Sequence, residues 1–389
     1  MIARRAFCAT AVGLLASGHA RAAAPAPAAG FAAAIRAQLA RFPSGPVLLN
    51  SYLVQSGPAA TRFDLTQANA AYVYDNALAG LLLLAAGHPD QARWIAEALA
   101  IAQENDRFYT DGRLRNAYQA GPMSRPAKLP GWWDKSAGHW VEDPYQAGSA
   151  TGPIAWAMLL WAALGMRAPA DEAGDFLDSR LRTSLGYYGG FYGFEPHPLE
   201  LTWQSTEQNT DLTAAFRKLA RQEDAAHAAA FVRAMYNPKT GLFNAGTTPA
   251  GAINPLLAAD AGIWPHLAGL GSAASALAAI TALRQRQRQE EGIGFSGASR
   301  GIWLEGTAFA GLALGKNPLA GRFQATIAAN LSPQGYVYAT VAPSLRTGFT
   351  VGPSLQKNMP EQAFNYYRRP ALSATAWAGL AALGVNPLA

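Results

Sequence analysis

Four carboxyl side chains in a chain of 389 residues sit where acid–base chemistry could be done. Asp75, Glu207 and Glu305 each fall in the first turn of a helical stretch that is otherwise apolar, and Asp211 follows Glu207 by four residues. A helix N-terminus favours negative charge, so these positions suit a reactive carboxylate. Plain N-capping uses the same residue types. Capping does not explain why Glu207 and Asp211 share one face of a helix that should otherwise be apolar inside its scaffold. Two such neighbours cannot both ionise cheaply, so one is expected to keep its proton and donate it. That makes Glu207 the candidate general acid, with Asp211 tuning it. The base or nucleophile is expected from another helix, Glu305 first because Gly306 leaves room beside it, then Asp75. The loop residue Glu142 completes the pool, and Asp75 with Glu142 is the alternative pair.

A scaffold that gathers helix starts is therefore required, and the chain alternates two helix types that would supply it. Residues 72–86, 149–164, 207–219, 255–270, 302–314 and 373–383 are small and apolar nearly all round, which demands burial on more than one side. Residues 31–42, 90–103, 171–184, 221–235, 272–288 and 318–331 are amphipathic and belong outside. The hinge between the types recurs as Gly315-Lys316-Asn317-Pro318-Leu319-Ala320 and Gly384-Val385-Asn386-Pro387-Leu388-Ala389. Gly ends one helix and Pro starts or blocks the next. Repetition of one such unit indicates a closed or stacked array. The pattern predicts an all-α chain in which residues 31–389 form one (α/α)6 toroid of six helical hairpins. Long connections precede each apolar helix, so they should line one mouth of the ring, with Tyr74, Asp75, Glu207, Asp211 and Glu305 gathered there.

Those connections are rich in aromatic residues. Trp132, Trp133, Trp140, Tyr145, Tyr187, Tyr188, Phe191, Tyr192 and Trp203 lie among Gly and Pro in residues 106–148 and 186–206. Aromatic faces beside carboxylates and amides suit a sugar, which offers C–H faces for stacking and hydroxyls for hydrogen bonding. The expected binding set is Tyr74, Trp132, Trp133, His139, Trp140, Glu142, Trp203, Asn209 and Trp303. The segments Tyr74-Asp75-Asn76-Ala77-Leu78, Ser205-Thr206-Glu207-Gln208-Asn209-Thr210-Asp211 and Trp303-Leu304-Glu305-Gly306-Thr307-Ala308 resemble inner-helix starts of the six-hairpin glycosidase superfamily. The resemblance covers most of the chain as pattern. It implies a toroid with its active site at the mouth, and hydrolysis of a poly- or oligosaccharide by a protonated and an ionised carboxyl.

Other chemistries lack their parts. Cys8 is the only cysteine, so a thiolate zinc site is excluded; no metal or other cofactor is expected, nor is there the dense Asp motif of a terpene cyclase. A polysaccharide lyase on the same ring would draw on His139, Tyr145, Asn209 and Arg115, and a non-catalytic glycan-binding ring is the third reading. Residues 1–23 read as a signal peptide, with Arg4-Arg5 as a loose twin-arginine match, and residues 24–30 as an Ala/Pro leader, which predicts a periplasmic or secreted protein. Removing Arg4, Arg5 and Arg21 takes the basic count from 31 to 28 against 25 acidic residues, a balance that points to no nucleic-acid partner. Arg284, Arg286 and Arg288, alternating with Gln, are expected on a solvated helix face. No stretch is apolar enough for stable membrane insertion, and a carbohydrate-bound monomer is expected.

Overall fold

The computed structural model describes residues 26–350 and 363–389. The expected signal peptide lies outside these residues. Fourteen helices occur among the described residues: α1 (Ala26–Leu39), α2 (Arg62–Gln67), α3 (Val73–Ala85), α4 (Pro89–Glu104), α5 (Pro144–Ala147), α6 (Thr151–Ala163), α7 (Arg167–Leu181), α8 (Thr206–Lys218), α9 (Gln222–Ala234), α10 (Ala259–Leu267), α11 (Ala273–Leu283), α12 (Leu304–Leu314), α13 (Pro318–Ala328) and α14 (Leu372–Leu383). Helices α2 and α5 are short turns within loops. The other twelve alternate between two layers. The inner helices α3, α6, α8, α10, α12 and α14 each pack on the next, and α14 returns onto α3. Outer helices α4, α7, α9, α11 and α13 fold back on the inner helix before them, and α1 packs on α14. This closed double ring is the (α/α)6 toroid.

The inner ring closes tightly because small residues sit where helices approach. A Cβ on Gly80 of α3 would come within 2.7 Å of the Leu160 side chain of α6, and one on Gly379 of α14 within 2.5 Å of Leu82 of α3. The recurring hinges share two features, a glycine of positive φ and an Asn turn, while ψ differs, −115° at Gly315 and 24° at Gly384. Gly315 and Gly384 take positive φ of 56° and 65° at the ends of α12 and α14, where a side chain would be strained. Asn317 and Asn386 then accept the backbone N–H two residues on, both at 3.0 Å.

A second repeated device seats the inner helices on their loops. The backbone N–H of the first residue in all six (Val73, Thr151, Thr206, Ala259, Leu304 and Leu372) donates to a loop carbonyl at 2.8–3.1 Å. In four of them the fourth residue bonds a second loop, the one that leads into its own helix. Asn76 accepts from Leu49 N–H, Asn209 from Tyr187, Thr307 from Ile293 and Thr375 from Val337, at 2.8–3.1 Å. Donors that a helix start leaves without partners are thereby satisfied by the loops.

Three expectations need correction. The helix expected over residues 272–288 ends at Leu283, and Arg284–Gln287 is a strand paired with Glu290–Ile293. An every-second-residue pattern is a strand signature, and here it lets Arg284 and Arg286 both reach Glu291, which Arg322 also joins. Arg284 and Arg286 are therefore held in a ribbon and not on a helix face. The supposed leader is helical from Ala26, with Ala28 fully buried. The helix expected over residues 255–270 shrinks to Ala259–Leu267, with Pro265 inside it.

Replacing Gly379 by Val should force Leu82 aside and cost about 1–3 kcal/mol, as overpacking does. Denaturant unfolding checks this; an unchanged midpoint would show that the ring has slack at this contact.

Candidate active site

Alternation of outer and inner helices makes the six inner helices run the same way, so their N-termini share one end of the ring. Asp75, Glu207, Asp260, Glu305 and Ser373 all fall in first turns there, with Asp211 one turn deeper in α8. Beneath them Tyr74, Trp156, Trp264, Phe309 and Trp377, from five different inner helices, form a plug of rings with centroids 5.3–6.5 Å apart between contacting pairs. Most of these contacts are edge-to-face, the arrangement aromatic quadrupoles favour. The result is a layer of acids over an apolar floor, a cup in arrangement and not an open cavity, since Asp75, Asp211, Asp260 and Glu305 are at most 6% exposed.

The floor also orients the lining. Trp377 Nε1 donates to Tyr74 Oη at 2.8 Å, Tyr74 Oη donates to Glu305 Oε1 at 2.6 Å, and Ser373 Oγ donates to Glu305 Oε2 at 2.8 Å. Asp75 lies beside Ser51 and Ser373. Asp211 is fully buried, near the Trp156 indole but outside hydrogen-bond geometry, and both its carboxyl oxygens lack a partner. Asp260 is 6% exposed and accepts the Ala261 N–H at 2.7 Å. Glu207 alone is half-buried, at the opening.

Burial in this low-dielectric cup is the first cause that raises the proton affinity of every member. It brings Asp75 to about 7 and Asp260 to about 6. Glu305 rises to about 8, with repulsion from Asp75 and Asp260 added and the Tyr74 and Ser373 bonds opposing. Glu207 is pushed well up by burial, then by Asp260, Asp211 and Glu305; Asp211 is pushed up by burial and Asp260. The phenols of Tyr52, Tyr145 and Tyr366 are raised by burial and by the same carboxylates, which places all three on the walls. Ion pairs among the described residues all involve other acids.

The structure brings together Tyr74, Asp75, Glu207, Asp211 and Glu305, and adds Asp260, which the sequence reading missed. Its signal was available, an acid in the second position of an apolar helix, but Pro265 and Gly262 obscured that helix. Tyr52, Tyr366, Ser51 and Ser373 were also missed, because nothing local marks a loop tyrosine or a serine as facing acids from distant segments. Other expected residues sit elsewhere. Glu142 is bound bidentately by Arg107 at 2.7 and 2.8 Å, in a network that continues to Glu195, Arg115 and Asp106. Asn209 is fully buried and spent on Tyr187 and Ser205. Trp303 does not leave room beside Gly306: its ring fills that space, 2.3 Å from where a Cβ would stand, and packs on Phe295, Phe309 and Tyr366.

Trp132, Trp133, His139 and Trp140 form a separate ribbon of Trp132–Asp134 paired with His139–Val141, with Trp133 opposite Trp140. Both are exposed, and Gly131 at its base donates to Asn69, just ahead of α3. His139 bonds only its own turn, at Ala137 O. Trp203 lies over Gly189, both in the loop between α7 and α8. The residues a lyase would need are not assembled, since Arg115 is fully enclosed by Asp106, Glu195 and the Ala147 carbonyl.

No family model and no curated protein matches the sequence. Solved structures do share the fold. A glycosidase variant in complex with glucose superposes with a TM-score of 0.58 at 13% identity, covering 93% of this chain and 97% of that one. A family 76 glycoside hydrolase from a bovine Bacteroides thetaiotaomicron strain gives 0.51 at 10%, covering 92% and 77%. A D-mannose isomerase gives 0.57 at 10%, covering 92% and 98%. The (α/α)6 fold is thus one that glycosidases and an isomerase share.

Raised carboxyl affinities fix the sign of a stability dependence. Asp75, Asp260 and Glu305 hold protons in the folded state that the unfolded chain releases near pH 4, so their contribution is complete below pH 4 and is lost as pH rises through about 6 to 8. Asp64 and Glu195, lowered by Arg369 and Arg107, act oppositely and lose theirs in acid. The melting temperature should therefore fall between pH 5 and 8.5, and Glu305→Gln should flatten that fall. Calorimetry showing a flat or rising profile for the wild-type protein would contradict the arrangement.

Proposed function

We propose that the protein is a glycoside hydrolase that cleaves an oligo- or polysaccharide at the acidic cup. The observation that carries the reading is the convergence of five carboxyl groups from four inner helices over an aromatic floor, with tyrosines on the walls. Glycosidic cleavage uses one protonated carboxyl to assist the departing oxygen and one ionised carboxyl to activate water or attack carbon. Glu207 suits the first role. It lies at the opening, and three neighbouring acids oppose loss of its proton. Glu305 is positioned for the second, since Tyr74 and Ser373 donate to both its oxygens and oppose the rise that burial causes; with its affinity still at about 8 it acts in the minority of molecules in which it is ionised at neutral pH. Asp75, beside the same Ser373, is the alternative base.

Exposed Trp133 and Trp140 would stack on sugar units beyond the cup. The glucose held by a structural neighbour supports a sugar as ligand. No helix among the described residues is long and apolar enough to cross a membrane, and the N-terminal segment supports export to the periplasm or beyond, with the protein acting as a monomer.

Glu207→Gln should cost roughly 10²-fold or more in rate on a natural glycan, the scale of general acid catalysis. On a substrate whose leaving group needs no proton the loss should be much smaller. Steady-state assays on both substrates test this. Full activity on both would remove Glu207 from the mechanism, and unchanged sugar binding without turnover in the wild-type protein would favour a binding ring.

A further inference from the structure

A cleft of about 370 Å³ opens on the flank of the mouth, lined by Tyr109, Asp111, Arg113, Arg180, Phe191 and His197, with Pro196 and Pro198 beside them. Its volume falls in the ~300–1,000 Å³ range of small-molecule sites. Phe191 pairs in a strand with Ser149, just ahead of α6, and Arg180 lies in the last turn of α7. The cleft therefore borders the loops that form the mouth. Its charge is opposite in sign to that of the cup. Asp111 is the one acid in the lining, and Arg113 pairs with it at 2.6–3.1 Å. Glu195 and Asp106, close by in the same loops, are held by Arg107 and Arg115. Arg180 is thus a positive charge in excess of the acids that line the cleft.

Arg113 is 4% exposed and fixed in place. Its guanidinium carbon lies 3.8 Å from the Tyr109 ring centroid and 4.7 and 4.8 Å from those of Phe176 and Phe191. Asp111 takes Nε and Nη2. Nη1 has no partner among the described residues, yet it is not one of the enclosed atoms left unpaired, so it opens on the cleft. Packing of this loop onto α7 accounts for the rings and for Asp111. It does not require a second arginine and a histidine at the open edge.

We infer that this cleft is a subsite for the acidic group of a sugar, and that the glycan carries carboxylate or sulfate groups bound there, outside the cup. The free edge of a guanidinium meets an oxyanion with charge-assisted hydrogen bonds, and a fork already held by rings loses little freedom in doing so. Arg180, 5.9 Å from the Phe191 centroid, adds a second positive charge. Pro196 and Pro198 offer apolar surface to the C–H groups of the sugar ring. The acids of the cup repel such a group, which favours holding it on the flank. The part in catalysis rests on the hydrolase reading, whereas the binding does not.

Titration calorimetry at pH 7 and low salt, in a buffer free of sulfate and phosphate, should compare glucuronate, glucose 6-sulfate, glucose and inorganic sulfate. One or both acidic sugars should bind roughly fivefold or more tighter than glucose and than inorganic sulfate, and lose that advantage in high salt. The tighter of the two identifies the oxyanion. Arg180→Gln, at an exposed position, should weaken that binding by roughly threefold or more. Arg113→Lys, which keeps the charge and removes the fork, should weaken it further, with folding checked by circular dichroism. Glu207→Gln should leave it in place. Acidic sugars no tighter than glucose, inorganic sulfate as tight as either, or a preference that survives Arg180→Gln would overturn the inference. Hydrolysis of a neutral glycan that depends on Glu207, found with no preference for acidic sugars, would sink this inference alone. Binding of an acidic sugar that depends on Arg180, with no hydrolysis of any glycan, would sink the hydrolase reading instead and leave the subsite standing.

Discussion

Five carboxyl groups held in one low-dielectric cup cannot all be ionised, and that constraint organises the rest of the molecule. Repulsion and burial keep protons on groups that would be bare in water, which leaves acids and bases side by side near neutral pH. The same crowding opposes folding, so the ring must be stable enough elsewhere to carry it. Closely packed inner helices, an interlocked aromatic plug and ion pairs placed away from the cup, such as Arg369 with Asp64 and Arg115 with Asp106, supply that stability.

The scaffold frees these acids for chemistry by doing their ordinary work with other groups. Acids in the first turn of a helix commonly cap it. Here the first N–H of every inner helix is taken by a loop carbonyl, and a fourth-position Asn or Thr fastens four of the helices to their loops. Ser205 caps α8 in front of Glu207. Asp75, Glu207 and Glu305 accept no bond from the backbone of their own helices among the described residues, so capping does not use them, and Glu305 accepts instead from Tyr74 and Ser373. Capping and catalysis, which compete as explanations of an acid at a helix start, are separated in this structure by residue position.

Much of this was legible in the sequence because the periodicities are strong. Apolar and amphipathic helices alternate over most of the ring, with polar inner α8 and apolar outer α11 as the exceptions, and the Gly-x-Asn-Pro-Leu-Ala hinge repeats its positive-φ glycine and its Asn turn, so ring and mouth could be read together. Residues whose meaning depends on what distant segments bring were not legible. Asn209 looks like a ligand-binding amide beside Glu207, yet it is the counterpart of Asn76, a clamp whose partner lies in a loop more than twenty residues away. Glu142 sits among aromatics in sequence, but Arg107 claims it in space. Trp303 occupies the gap that Gly306 seemed to promise. In each case the residue type was informative and its partner was not, because partners across a ring are set by closure and not by local spacing.

The pH dependence of kcat/KM for the proposed glycan hydrolysis tests the crowded-carboxyl account most directly. The descending limb reports loss of the general acid's proton. It should lie well above the usual carboxyl range, in the neutral region, and Asp211→Asn should move it to lower pH, because one source of repulsion on Glu207 is gone. A descending limb near pH 4 to 5, or one that Asp211→Asn leaves in place, would contradict the claim that neighbouring acids hold the catalytic proton.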